Sequence, residues 1–313
     1  MKMVKYSVVI PIYEEEDNIK ILDKEIKQVM NQLSGTYEII YVNDGSSDNS
    51  LKELKKLSKV KTIDLNKNYG QATAMDAGFK SSTGEIVISL DGDLQNDPKD
   101  IPKLLKRLEK DKLDVVAGWR KKRKDAPGIK VLTRIGRLLR KIIIKDQVHD
   151  TGCTLRVYRR TAIKALDLQG EMHRYILALL KWKGFKIGEE VVNHHARKYG
   201  ETKYGYSKAV RGLIDLVYIW FMQKYSQRPL HIFGYFSIGA FFVGGLSFLW
   251  SLYQRIFEGL SLNRNGWFFL GFFFMMMALL SFGFGMILNI LIKIKLNSSP
   301  YEKRYYIREV IGK

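Results

Sequence analysis

The sequence predicts an α/β protein: a mostly parallel, doubly wound sheet followed by a pair of membrane-spanning helices. Three observations carry that expectation. Apolar, β-branched runs alternate with helix-period segments from Tyr6 to Asp93, acidic turns close two of those runs, and two long uncharged segments lie in the last third of a 313-residue chain.

The elements follow in order. "YSVVIPIY" (Tyr6 to Tyr13) is a continuous apolar run of strand length, as expected of a buried strand. After it, Ile19, Leu22, Ile26, Val29 and Leu33 recur at three- and four-residue spacing and predict a helix. "YEIIYVNDGSSDNS" reads as a second strand ending in a polar turn, with a helix from Ser50. "KVKTIDLN", a helix near Gln71–Ser81 and "EIVISLDGD" continue the alternation. In such sheets ligands bind beyond the carboxyl ends of the strands. Both acidic turns, "NDGSSD" and "DGDLQND", fall at such ends.

From Ile232 to Gln254 run 23 residues without a formal charge, and from Asn265 to Ile292 run 28 more. About 20 apolar residues cross a bilayer, so spans at about 232–254 and 266–292 are expected, joined by a short connector into a hairpin. Arg211, Lys224 and Arg228 precede the hairpin, and Lys293, Lys295, Lys303, Arg304 and Arg308 follow it. The connector has only Arg255 and Arg264, offset by Glu258. Basic flanks stay on the cytoplasmic side, which places both termini in the cytoplasm and makes the chain a multi-pass cell-membrane protein. The composition shift at Arg228 and Pro229 sets the expected boundary between a cytoplasmic domain, 1–228, and a hairpin with a cytoplasmic basic tail, 229–313.

Hydrophobic residues make up 46% of the chain, enough for a core and against bulk disorder. The one cysteine, Cys153, excludes an intramolecular disulfide framework and fits a reducing compartment as a small buried residue. The N-terminal residues run into acids with no apolar stretch of signal-peptide length. Lys and Arg outnumber Asp and Glu by 52 to 32, a net charge of +20 that implies a polyanionic partner. Eleven of those basic residues, with one Asp, lie between Arg120 and Lys145. There Ile129, Leu132, Ile135, Leu138, Leu139 and Ile142 fall mostly at helical spacing, which predicts a basic amphipathic helix over about 129–145, suited to an anionic membrane. A second such helix, about 207–221, leads into the first span. With membrane anchors in the chain, this surface is read as facing lipid, and no nucleic-acid partner is expected.

Of the two acidic turns, "DGD" carries more chemistry. Asp91 and Asp93, separated by Gly92, can aim at one divalent ion from a tight turn, and Mg²⁺ or Mn²⁺ prefers carboxylates with phosphate oxygens. A lone DxD arises often by chance; this one ends a predicted buried strand. "DGSSD" (Asp44 to Asp48) reads equally as a strand-to-helix turn with a Ser or Asp cap and as a site where Asp44 accepts a hydrogen bond from a nucleobase. The histidines form no metal-ligand spacing; His194 and His195 are adjacent and would point to opposite sides of a strand.

"VVIPIYEEEDNI", "VNDGSSDNS", "GQATAMDAGF", "GEIVISLDGDLQNDP", "DTGCTLRVYRR" and "EMHRYILALL" together resemble the family-2 inverting glycosyltransferases with a GT-A fold. Within that family the chain is similar to the polyprenyl-phosphate glycosyltransferases, the group of dolichol-phosphate mannose synthase and the bactoprenol glucosyltransferases. The resemblance covers roughly Tyr6 to Leu216, and the two-span tail matches the bactoprenol type. It implies that Pro11, Tyr13, Glu15 and Val42 line the nucleoside pocket and that Asp44 meets the base. It implies that Asp91, Gly92, Asp93 and Gln95 hold the sugar diphosphate, with Asp91, Asp93 and Gln95 as ligands of a divalent Mg²⁺ or Mn²⁺. Arg120 and Arg134 are implied to reach phosphates of donor or acceptor, so that Asp91, Asp93, Arg120 and Arg134 form the implied catalytic set. Arg197 and Lys203, in "HHARKYGETKYGYSK", are implied with Arg134 to hold the acceptor phosphate. By the same resemblance the donor is a UDP- or GDP-sugar, UDP-glucose first, and the enzyme assembles as a homo-oligomer, a tetramer by analogy.

The chemistry is consistent on its own terms. Departure of a nucleotide diphosphate needs charge neutralisation, which a metal ion and Arg supply. A hydroxyl acceptor needs a base, whereas a phosphomonoester, with a second pKa of about 6, is already ionised near neutral pH. The chain reads "EMHRY" where polysaccharide-extending members carry QxxRW, which favours a polyprenyl phosphate acceptor over a growing glycan. The expected function is therefore transfer of one sugar, with inversion, from a nucleotide-sugar to a polyprenyl phosphate at the cytoplasmic leaflet. The rivals are transfer to a lipid or glycan hydroxyl, and a non-catalytic scaffold or flippase.

Overall fold

The computed structural model describes residues 4–121, 148–168, 170, 172–196, 221, 225, 229–297 and 307–311. Both predicted amphipathic helices, apart from Phe221, and Arg134, Arg197 and Lys203 lie outside these residues. The chain divides into two units, 1–216 with 303–313, and 217–302.

The first unit holds one sheet. Its strands are β1 (Tyr6–Ile12), β2 (Tyr37–Asn43), β3 (Lys61–Leu65), β4 (Ile86–Ser89), β5 (Val115–Trp119), β6 (Arg156–Arg159), β7 (Ile187–Val191) and β8 (Ile307–Ile311). They lie in the order β7-β5-β6-β4-β1-β2-β3-β8. The central neighbours β4, β1, β2 and β3 are all parallel, as are β5 and β7. β6 runs antiparallel to β4 and β5, and β8 runs antiparallel to β3. Helices α1 (Ile19–Met30), α2 (Ser50–Lys55), α3 (Gln71–Ser81), α4 (Ile101–Lys110), α5 (Arg160–Lys164) and α6 (Ile176–Trp182) connect them.

Side chains alternate across a strand, and β1 shows why both faces must be covered. Val8, Ile10 and Ile12 pack with Ile19, Leu22 and Ile26 of α1 and with Ile101, Leu104 and Leu108 of α4. Val9, between them, faces the other way into a layer with Ile63, Val87 and the small residues Ala72, Ala74 and Ala77 of α3. A strand buried on both faces reads as an unbroken apolar run, which is what "YSVVIPI" is. The chain leaves β1 towards β2 and β3 on one side, then crosses to β4 on the other. That reversal between β1 and β4 is the switch point at which open α/β sheets bind ligands, and the "DGD" turn follows β4 directly.

The sequence reading left the residues after the second apolar segment as a basic tail. Five of them form β8, which hydrogen-bonds to the edge strand β3 with Thr62 opposite Ile311 and Leu65 opposite Ile307. An edge strand presents unpaired N–H and C=O groups that any nearby extended segment satisfies; β8 therefore belongs to the first unit's sheet.

In the second unit, α7 (Pro229–Phe257) and α8 (Gly266–Asn297) contain the two segments long and apolar enough to cross a membrane, Leu230–Phe257 and Gly266–Ile292. Most of their large apolar side chains are exposed. They pack closely where Gly244 and Gly271 meet: a Cβ on Gly244 would lie 3.0 Å from the Gly271 carbonyl oxygen, and one on Gly271 would lie 3.1 Å from that of Gly244. Ser237 donates to the Ala278 carbonyl at 2.7 Å and Ser281 to that of Phe233 at 3.0 Å. Small residues and interhelical hydrogen bonds are how helices associate where burial of apolar surface offers no preference.

Candidate active site

β4 ends at Ser89, and the turn that follows carries Asp91, Gly92, Asp93 and Gln95. Leu94 takes a left-handed φ of 59°, uncommon for a side chain with a Cβ. The Gln95 N–H donates back to Asp93 Oδ1 at 3.1 Å. Gly92 sits against the end of β1, where a Cβ would lie 2.6 Å from Ile12 Cδ1 and 3.4 Å from the Pro11 carbonyl oxygen. The glycine thus brings the acidic turn up to the loop that bears Tyr13 and Glu15.

Asp91 accepts from Gln71 Nε2 at 2.7 Å, at the first residue of α3, and from the Thr154 hydroxyl. Thr154 in turn accepts from Asn96 Nδ2 at 2.9 Å, and its carbonyl accepts from Ser89 Oγ at 2.7 Å. Burial, and then the neighbouring Asp93 charge, push the Asp91 carboxyl up to about 7, against the pull of Thr154, Arg120 and Arg156. Two acids are held together where a cation would relieve them. Among the described residues no three His, Cys, Asp or Glu side chains gather into a cage. Two carboxylates with the Gln95 amide suit an ion such as Mg²⁺, which keeps few protein ligands and completes its shell with water and substrate phosphate. The residues present therefore fit the divalent ion.

Arg120, just after β5, is held by Asp150: Nε to Oδ2 at 2.7 Å and Nη2 to Oδ1 at 3.0 Å. Burial opposes both charges, and the bidentate contact overrides it, raising the Arg120 pKa and lowering that of Asp150. Beside this pair, Trp119 stacks on His149 at 4.3 Å, and Glu189 of β7 accepts from the His149 N–H at 2.9 Å.

The other acidic turn is built differently. Asp44 is buried and accepts the backbone N–H groups of Tyr69 at 2.8 Å and Gly70 at 2.9 Å. Desolvation raises its pKa and those two N–H groups oppose the rise. Ser46 accepts from the Glu14 N–H at 3.0 Å, Ser50 from the Glu15 N–H at 3.0 Å and Asp48 from the Glu16 N–H at 3.3 Å. Asp48 also caps Ser50 N–H at 2.9 Å. "DGSSD" therefore staples the loop after β1 to the loop after β2. Each Asp44 oxygen keeps a second lone-pair direction for a further donor. Pro11 pairs with Val42 across β1 and β2; Val42 is fully buried in the core, while Tyr13 is exposed at the end of β1.

The segment after β7 lies on the acidic turn. His195 N–H donates to the Gln95 carbonyl at 2.9 Å, His194 Nδ1 lies 3.2 Å from the same oxygen, and His194 bridges to Asn96. Asn193 N–H donates to Asp100 Oδ2 at 2.6 Å. The two histidines, which offered no metal spacing, are here backbone anchors. Gln71, Asp150, Thr154 and Arg156 were also missed by sequence reasoning. Except for "DTGCTLR", which contains the last three of them, no local signal marks them, because their partners are distant in the chain.

Fold and site thus define an open α/β domain with an acidic turn at the switch point, where such sheets bind ligands, and comparison with known proteins specifies it. The model for glycosyl transferase family 2 matches residues 7–167. Dodecaprenyl-phosphate galacturonate synthase of Rhizobium johnstonii is 38% identical, over 81% of this chain and 76% of that protein. Undecaprenyl-phosphate 4-deoxy-4-formamido-L-arabinose transferase of Proteus mirabilis is 33% identical, over 99% and 95%. In fold, mannosyl-3-phosphoglycerate synthase of Rubrobacter xylanophilus aligns with a TM-score of 0.58 at 15% identity, over 71% and 75% of the two chains. Glucosyl-3-phosphoglycerate synthase of Mycobacterium tuberculosis, with Mn²⁺ and UDP, aligns with a TM-score of 0.55 at 16% identity, over 70% and 80%. The chain belongs to glycosyl transferase family 2; it is a glycosyltransferase with the GT-A fold and two C-terminal apolar helices of spanning length.

Proposed function

We propose that the protein transfers a single sugar, with inversion, from a nucleotide-sugar to a polyprenyl phosphate at the cytoplasmic face of the membrane. The observation that carries this reading is the anchoring of the post-β7 segment on the acidic turn. The His195 N–H is bonded to the Gln95 carbonyl, and the chain runs on from there into "ARKYGETK", which carries Arg197 and Lys203. Arg197, Lys203 and Arg134 are the acceptor-phosphate clamp of this proposal. The names of both relatives, which begin with dodecaprenyl-phosphate and undecaprenyl-phosphate, support the same acceptor.

In this reading Asp91, Asp93 and Gln95 hold the divalent ion, and Pro11, Tyr13, Glu15 and the free lone pairs of Asp44 face the nucleoside. The ion, when bound, neutralises charge on the diphosphate. Asp150 fixes Arg120 through two of its five N–H groups, which leaves the other edge of the guanidinium for a phosphate. An acceptor phosphate oxygen attacks the anomeric carbon as the bond from that carbon to the diphosphate breaks. The products are the polyprenyl-phosphate-sugar and the nucleoside diphosphate, and no protein base takes a proton. Arg and Lys need only hold the anion in line.

The domain 1–228 lies in the cytoplasm in this scheme, and the hairpin within 229–313 anchors it. The basic flanks and the return of β8 to the first unit's sheet support a hairpin that leaves and re-enters on one side. UDP-glucose heads the donors by resemblance, and nucleotide-linked galacturonate and 4-deoxy-4-formamido-L-arabinose join it on the relatives' names. The purified full-length protein is assayed with a panel of nucleotide-sugars, Mn²⁺, and either polyprenyl phosphate or polyprenol. Transfer to the phosphate that ends when the metal is chelated is expected; transfer to the alcohol alone would overturn the reading.

A further inference from the structure

Arg156, the first residue of β6, is the largest fully buried side chain among the described residues, 1% exposed. It sits between the two strands that end in the site, opposite Ser89 of β4 and Ala117 of β5. Its guanidinium makes no ion pair with any carboxylate among the described residues. It donates instead to three backbone carbonyls: Cys153 from Nε at 2.7 Å, Thr151 from Nη2 at 2.6 Å and His173 from Nη1 at 3.4 Å. Two of those carbonyls belong to the loop Asp150–Thr154, and the third to the 3₁₀ turn Met172–Tyr175 of "EMHRY". A buried cation without a carboxylate is costly to keep, so a merely structural brace is poorly served by one.

We propose that Arg156 is a positioning residue for the donor site, holding the Asp150–Thr154 loop so that Thr154 sets Asp91 and Asp150 sets Arg120. The loop reaches the acidic turn at its Thr154 end and Arg120 at its Asp150 end. Thr154 bonds Asp91, Asn96 and Ser89, and Asp150 bonds Arg120 by two contacts. The planar fork of an arginine addresses three carbonyls in different directions, which the single ammonium of a lysine cannot. The charge is placed to match, since Arg156 is, with Arg120, one of the two cations whose field favours ionised Asp91. The inference rests on reading Asp91–Gln95 as the donor diphosphate and metal turn.

The test uses the full-length protein with Mn²⁺ and UDP as probes. Mn²⁺ half-saturation is read by electron paramagnetic resonance, with thermal unfolding recorded in parallel. Residues that orient metal ligands cost about 10–100-fold in metal affinity when lost, so Arg156→Lys and Thr154→Val are each expected to weaken Mn²⁺ binding by that factor. The double variant should be no weaker than the worse single one, because both act through one loop. A purely structural role would lower the folded fraction and leave half-saturation unchanged. Unchanged Mn²⁺ affinity in folded Arg156→Lys, or additive losses in the double variant, would overturn the proposal. If Arg156→Lys fails to fold, Thr154→Val alone decides, and normal Mn²⁺ affinity there overturns it. A wild-type protein that binds no Mn²⁺ with UDP sinks the reading of the turn itself, a failure distinct from these.

Discussion

Two acidic turns sit at the carboxyl ends of the two parallel strands that flank β1, and the chain treats them oppositely. After β2, Asp44 and Asp48 take backbone N–H groups at Tyr69, Gly70, Glu16 and Ser50, and Ser46 takes another at Glu14. After β4, Asp91 meets side-chain donors, Gln71 and Thr154, and lies in the repulsive field of Asp93. Backbone N–H groups are obligatory donors that must be paired when buried, so the first turn joins loops together. The second crowds two carboxylates in a buried setting, against the opposing pull of Arg120 and Arg156. Similar composition at similar places in the fold therefore yields a staple in one case and a cation site in the other.

The contrast breaks most sharply on charge removal. Asp91→Asn with Asp93→Asn is expected to lower sugar transfer by about 10³-fold, the scale of lost electrostatic stabilisation at a leaving group, with little loss of thermal stability. A double variant that transfers sugar at the wild-type rate would end the assignment of the turn. Asp44→Ala should do the reverse. It strands two buried N–H donors at about 1–3 kcal/mol each, so chemical denaturation should show a loss of about 2–6 kcal/mol. An unchanged midpoint with abolished nucleotide binding would make the first turn a ligand site alone.

A pH series sharpens the comparison further. The folded Asp91 carboxyl stands near 7 against an ordinary value of 3.8. Between those values the folded state keeps a proton that the unfolded state has released, so stability falls as pH rises from about 4 to 7. Asp44 acts in the same direction. Without divalent ions the protein should melt lower at pH 8 than at pH 5, and Asp91→Asn should flatten that fall. Mn²⁺ with UDP should stabilise more at pH 8, where the carboxylates are ionised. The smallest effect concerns Cys153, whose thiol burial pushes up to about 11: the folded protein should resist alkylation at pH 8, and rapid labelling would show that the loop beneath Arg156 opens.

Much of this was legible in the chain itself. Local periodicity marked the helix that begins at Ile19, the alternation placed another near Gln71–Ser81, where α3 lies, and the apolar runs marked β1 to β4. The "DGD" acids stood out because a turn does not need them. What sequence could not convey is the partner of each polar side chain. Arg120 reads as a phosphate ligand, yet Asp150, thirty residues on, engages it. Gln71 and Thr154 look like ordinary helix-start and loop residues until the sheet brings both to Asp91.

Two levels of information therefore separate. Apolar spacing, strand-to-turn order and two uncharged segments by themselves determined an α/β domain followed by two apolar helices of spanning length, since those signals depend only on neighbours in the chain. Only the tertiary structure decided that the tail strand closes the sheet edge, that Asp44 grips backbone while Asp91 crowds Asp93, and that Arg156 is buried among carbonyls. Those outcomes depend on which groups meet across crossovers, and burial then fixes the energetic sign of each meeting.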